Sequence, residues 1–201
     1  MGAKEQFMTR VTDLYRFEAI QGHLGWDQET IMPAKGAKAR GEILAWLAGQ
    51  RHSRLIDEEM GELISNLEGG NHDDYFTANL KEMRRKYDEA VKLPTEFVSE
   101  FTKARSEALI AWQKARSESD FSQFAPHLQN LIDLTRQKID YLGCENTPYD
   151  VLLDEYEVGM TVEDYDPLFA GLKSRLVPLL SKIMQSDVVI PRLPEEMTFP
   201  A

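Results

Sequence analysis

The stretch from Gly25 to Gly36, GWDQETIMPAKG, gathers Asp27, Gln28 and Glu29 beside Trp26 and just ahead of Pro33. Two carboxylates close in sequence raise the question of general acid and base chemistry, which needs paired groups whose environments differ. Alternate positions on a helix or turn point apart, so Asp27 and Glu29 do not form such a pair, and neither do Glu155 and Glu157 around Tyr156. Metal chemistry on a helix commonly uses H-E-x-x-H, two histidines four apart with a glutamate beside the first. His23, His52, His72 and His127 are followed by Leu24, Ser53, Asp73 and Leu128, so none begins that motif. His72-Asp73-Asp74 reads as a loop entering a helix N-cap, and His52 and His127 read as solvated or capping residues near helix ends. Cys144 follows Gly143 and precedes Glu145, a charge that disfavours the thiolate nucleophile. The sequence has no G-x-S-x-G elbow, phosphate loop or dinucleotide fingerprint.

The elements that would position these residues are helices. Phe7, Val11, Leu14, Ile20 and Leu24 keep one face of a first helix, weakened at its end by Gly22 and Gly25, with a turn expected before Pro33. In that turn Asp27 or Thr30 would satisfy backbone donors, and Ile31 and Met32 would enter the core. A second helix is predicted over 34–50. Its Ala37, Gly41 and Ala45 form a stripe of small residues against which another helix can approach closely. Arg40 would reach the acids if this helix folds back. Further helices are expected over 54–68, stopped by Gly69-Gly70, over 73–92, ended by Leu93-Pro94, and over 95–117. Asp120 with Gln123 suits a capping box ahead of a helix that closes at Gly143. A short piece follows within 147–161, and Thr161 with Asp164 caps a last helix that Pro167 and Pro178 should kink. These readings make the fold all-α, built of antiparallel helix hairpins, with a helical domain over 1–187 and a proline-containing tail or linker over 188–201.

A chain of 201 residues, 42% hydrophobic, can bury a core. Its formal charge of -11 offers no basic face for phosphates, which argues against nucleic acid and anionic membranes as partners. One cysteine, no run of apolar residues long enough to span a bilayer and no signal-like N-terminus lead to a cytoplasmic expectation.

From Gly25 to Leu55 the sequence resembles the N-terminal signature of the Taq-type, thermostable metallocarboxypeptidases. Trp26, Asp27, Gln28, Glu29, Thr30, Met32, Pro33, Gly36, Arg40 and His52 match it, while Gly41 replaces the usual alanine and Ser53 the usual glutamate. Two later blocks, 111–128 and 149–161, are similar to further parts of the family in the same order, with Val158 where proline is usual. The resemblance covers about 7–185. It implies a helical fold with a long groove, homodimers, and a zinc or cobalt ion held by H-E-x-x-H and a downstream glutamate, which activates water to remove C-terminal residues from peptides. Those ligands belong to a part of the family chain that is expected to follow Ala201. No catalytic and no metal-binding residue is therefore carried over here, and no cofactor is expected on this chain alone. Trp26, Asp27, Gln28, Glu29, Thr30, Met32, Pro33 and Arg40 are read as structural signature residues, with Trp26 and Asp27 also as groove-lining candidates. Two readings follow: the N-terminal helical portion of a metallocarboxypeptidase, which associates with a catalytic portion and with peptide, or a free-standing truncated relative that serves as a binding or oligomerisation module. In both, exposed apolar helix faces would favour self-association.

Overall fold

In the computed structural model, residues 2–189 are described, and every regular element among them is helical. They are α1 (Ala3–Thr30), α2 (Ala37–Leu55), α3 (Glu58–Leu67), α4 (Asp74–Ala90), α5 (Thr95–Glu118), α6 (Ala125–Leu142), α7 (Pro148–Leu153) and α8 (Val162–Met184). Short 3₁₀ turns precede α2 and α6. The chain forms two compact units that part between Cys144 and Glu145.

In the first unit the helices run as antiparallel neighbours. Asp27 meets Arg40 and Glu18 meets Arg51 across α1 and α2, and Tyr87 lies over Gly61 while Arg84 reaches Ser65 and Glu68 across α3 and α4. Phe97 packs edge-on against Tyr141, joining the start of α5 to the end of α6. One core gathers Phe7, Val11 and Leu14 of α1 with Met60 and Ile64 of α3 and Phe76 and Leu80 of α4. A second, smaller core joins Phe97 and Ala104 of α5 to Leu134 of α6.

Between these cores α2 and α5 lie close. A Cβ built on Gly41 would stand 3.3 Å from the Ser106 hydroxyl, and one on Gly49 would stand 2.5 Å from that of Ser99. The small-residue stripe anticipated from Ala37, Gly41 and Ala45 is thus a contact surface, extended by one further step to Gly49. At its lower end His52 is buried, contrary to a solvated position: its Nε2 donates to the Ala90 carbonyl at 3.0 Å and its Nδ1 accepts from the Thr95 hydroxyl at 2.9 Å. The ring caps the last carbonyl of α4 and holds the first residue of α5 against α2. Burial pushes the imidazole below its ordinary value, an effect opposed by the bond to Ala90, with Arg51 lowering it and Glu96 raising it.

The helix boundaries depart from sequence expectation in two places. The first helix does not stop at Gly22 or Gly25 but continues to Thr30, so Trp26 through Thr30 are helical and not a turn. A glycine in a helix costs only about 1 kcal/mol, and tertiary packing of α1 outweighs it. Within this last turn Asp27 makes no backbone cap. It pairs with Arg40 at 2.5 Å, while Arg40 also donates to the Leu24 carbonyl near the end of α1. Thr30 donates to the Trp26 carbonyl within the helix. Ile31 is 68% exposed and Met32 half-buried, so the pair does not fill the core as expected. The second departure is the break at Ile56, where Asp57 caps a separate α3 by accepting from the Glu59 N–H. The Asp73 and Thr161 caps form as their spacing implies, Thr147 caps α7 in the same way, and α8 runs unbroken through Pro167 and Pro178. Of the tail expected over 188–201, Val188 and Val189 lack regular structure, and 190–201 lie outside the described residues.

Both polar ties yield measurable outcomes. Asp27→Ala and Arg40→Ala should each lower unfolding free energy by about 1–3 kcal/mol, the range for hydrogen bonds involving charged groups, with the double variant well short of the sum. Chemical denaturation of the four proteins checks this; additive losses would show that the two side chains act separately. For His52 the folded imidazole resists protonation more than the unfolded one. Its stabilising contribution is therefore complete above the ordinary value of 6.5 and is lost as pH falls below it. Thermal melts from pH 7.5 down to pH 5 should show a falling Tm whose slope flattens in His52→Gln.

Candidate functional site

Two of the signature residues, Gln28 and Glu29, line a groove in the first unit of about 540 Å³. Gln21, Gly25, Gln28 and Glu29 supply its α1 wall. Thr102, Arg105, Ser106 and Leu109 of α5 face them, with Trp112 farther along and Leu44, Phe124 and Leu131 closing the apolar side. The arrangement follows from helical periodicity. Gly25, Gln28 and Glu29, and likewise Gln21, fall at steps of three and four, so one face of α1 presents all four.

Gln28 anchors the floor. Only 6% exposed, it donates from Nε2 to the Ser106 hydroxyl at 3.0 Å and accepts from that hydroxyl at 3.2 Å. Ser106 is the residue that stands beside Gly41, so the approach of α2 and α5 and the placement of Gln28 are one packing event. A bulkier residue at Gly41 would displace the partner that keeps this buried amide satisfied.

Other signature residues lie elsewhere. Asp27 and Arg40 form the hairpin tie behind the groove, and neither lines it. Trp26 is 57% exposed, stacks on His23 at 6.0 Å between ring centres, and does not line it either. Pro33 precedes the 3₁₀ turn into α2, and Met32 packs over Gly36. Sequence reasoning did not single out Arg105, Trp112 or Phe124 as wall residues. The only available signal was the 3.6-residue period of the α5 segment, which cannot say which helix α5 faces.

The described residues do not fit a metal centre. The sequence contains no H-E-x-x-H, and among the described residues no three His, Cys, Asp or Glu side chains converge to hold an ion. His52 has both ring nitrogens engaged by Thr95 and Ala90, and His72 bonds the Leu67 carbonyl through Nε2. Asp73 is committed to the α4 cap, its carboxyl held below the usual range by the Phe76 N–H and by Lys4. Cys144 is an exposed free thiol. Among the described residues no helix is long and apolar enough to cross a membrane.

Comparison with known proteins places this architecture. Residues 6–198 match the family model described as Carboxypeptidase Taq (M32) metallopeptidase. Thermostable carboxypeptidase 1 of Pyrococcus furiosus is 33% identical over 186 residues, which cover 92% of this chain and 37% of that protein. Thermostable carboxypeptidase 1 of Thermus thermophilus is 36% identical over 174 residues, covering 80% of this chain and 34% of its own length. Among solved structures, that of BsuCP superimposes with a TM-score of 0.89 at 29% identity, covering 93% of this chain and 38% of that one. Trypanosoma cruzi metallocarboxypeptidase 1 does so at 0.72 and 32%, covering 94% and 40%. The chain thus spans little more than a third of the relatives it matches, as their helical N-terminal portion. The signature read from Trp26 to Arg40, the all-helical fold and these matches agree: the chain belongs to the Carboxypeptidase Taq (M32) metallopeptidase family.

Proposed function

We propose that this chain serves as the N-terminal helical portion of a metal-dependent carboxypeptidase-like protein, and that it does not catalyse by itself. In the complete protein, zinc or cobalt held by another portion would polarise the scissile carbonyl and activate water for release of C-terminal residues from peptides. The observation that carries this reading is the pairing of a match over nearly the whole chain with coverage of only about 37% of the relatives. Residues 1–187 would then act as the helical domain, and 188–201 as the linker toward the catalytic portion. Trp26, exposed on α1, and Asp27 beside it would border the peptide groove of the assembled enzyme. The acidic charge and the single cysteine suit a reducing cytoplasm.

α8 favours a second reading, that of a free-standing oligomerisation module. Leu168, Leu172, Leu176, Leu179 and Ile183 follow one another by four, four, three and four residues, and each is between 45% and 60% exposed. A stripe of that length on a soluble protein marks a surface that another chain covers. Its acids Glu163, Asp164 and Asp166 lie toward the N-terminus and Lys173, Arg175 and Lys182 follow, so two copies laid antiparallel would oppose unlike charges.

Purified chain supplied with zinc or cobalt should release no C-terminal amino acids from a peptide with a free C-terminus, and light scattering should show a dimer that Leu176→Glu disrupts. Steady, metal-dependent release would overturn the non-catalytic reading, and a strict monomer the self-association. The two readings part on the coding sequence after Ala201: an in-frame H-E-x-x-H selects the first, a stop codon the second.

A further inference from the structure

His52 closes two helix ends with one ring. Its Nε2 donates to the carbonyl of Ala90, the last residue of α4, and its Nδ1 accepts from the hydroxyl of Thr95, the first residue of α5. Pro94, at the α5 N-cap, bonds that first turn with no side chain of its own. The turn lies on α2: a Cβ built on Gly49 would stand 3.7 Å from Thr95 Cγ2 as well as against the Ser99 hydroxyl. The ring that fixes Thr95 therefore fixes the lower end of the α2–α5 seam, about one helical turn from Gly49.

This arrangement suits a neutral ring. Nδ1 offers one lone pair, and a proton taken up from solvent occupies the same position as the Thr95 O–H. The resulting cation would stand in a site only 6% exposed, where a charge is costly unless it is paired. Its own helix presents Arg51, a like charge whose Nε is buried without a hydrogen-bond partner and whose Nη2 reaches Glu18 of α1 at 3.4 Å. The α5 helix presents Glu96, which is exposed and so screened by water. In α4 Glu89 is drawn to Arg85, and in the turn after it Lys92 donates to the Leu142 carbonyl at 3.1 Å.

We propose that His52 is a proton-operated latch: protonation at Nδ1 frees the first turn of α5 from Gly49, while the seam at Gly41 and Ser106 and the core of α1, α3 and α4 stay closed. Gln28 and Ser106 bond each other through groups that do not titrate, and Phe7, Ile64 and Phe76 pack through apolar surface alone, so acid leaves both in place. Burial holds the imidazole below its ordinary value of 6.5, so the closed latch binds a proton less readily than the open one and opens as pH falls below that value.

Amide hydrogen exchange of the full chain at pH 7 and pH 5, without and with low guanidinium chloride, reads the opening. Protection of the Val98, Ser99 and Glu100 amides should fall at least about threefold on acidification, within the roughly tenfold per pH unit that one proton allows. At pH 5 it should lie below that of Ile64 and Ser106 and respond little to denaturant, because the opening exposes less surface than unfolding does. His52→Gln keeps a donor and an acceptor but does not titrate, and should abolish the fall. If that variant does not fold, Thr95→Val decides. It removes the hydroxyl that favours the neutral ring, so the His52 imidazole resonance should titrate at higher pH than in the unmodified chain. Equal protection and equal denaturant response at Ser99 and Ile64, or a smaller fall, overturns the proposal. So does a fall that persists in His52→Gln, or a titration that Thr95→Val leaves in place or moves to lower pH.

Discussion

The close approach of α2 to α5 is the constraint on which the first unit depends. Two helices come closest where one of them presents little or no side chain, and Gly41 and Gly49 provide that on α2. Dispersion and excluded water reward such contact over its whole length, whereas each glycine costs its helix roughly 1 kcal/mol. The seam fixes Ser106, Ser106 satisfies the buried Gln28, and Gln28 sets the α1 wall of the groove. At the other end His52 ties α2 to the α4–α5 turn. Packing, polar satisfaction and groove geometry are therefore one connected arrangement, with the apolar cores on either side supplying most of its stability.

Much of this was legible in the sequence because its signals are local. Asp57, Asp73 and Thr161 sit where a side-chain oxygen meets orphaned N–H groups, though Asp57 was passed over because Leu55 and Ile56 keep the apolar spacing alive through the break. The spacing of Phe76, Leu80 and Met83 reports a buried face directly. The end of α1 was misread for a physical reason: Gly22 and Gly25 carry weak helix preference, while the interactions that sustain the helix there come from Arg40 and Ser106, 13 and 78 residues away from their partners. Burial of His52 and the facing of α1 by Arg105 and Trp112 are likewise set by tertiary contact, which no local period encodes.

The signature from Trp26 to Arg40 acquires a division of labour in the structure. Asp27 and Arg40 hold the α1–α2 hairpin, with side chains 24% and 14% exposed, so the pair is screened less than a surface bridge and constrains the helices more. Gln28 and Glu29, one turn face over, open to the groove instead. Neighbouring acids thus serve one structural tie and one surface, and the two do not form a catalytic couple. Family membership accounts for the signature; the hairpin and the groove account for what these residues do locally.

The seam is tested most directly by native-state amide hydrogen exchange in Gly41→Leu. Leucine has a higher helix preference than glycine, so any loss of protection must come from packing and not from the helix itself. Protection should fall in α2 around residue 41, in α5 around Ser106 and in the last turns of α1 around Gln28, while the α3 and α4 amides stay protected. Unchanged protection at Ser106 and Gln28 would contradict the claim that the approach of α2 to α5 positions the groove.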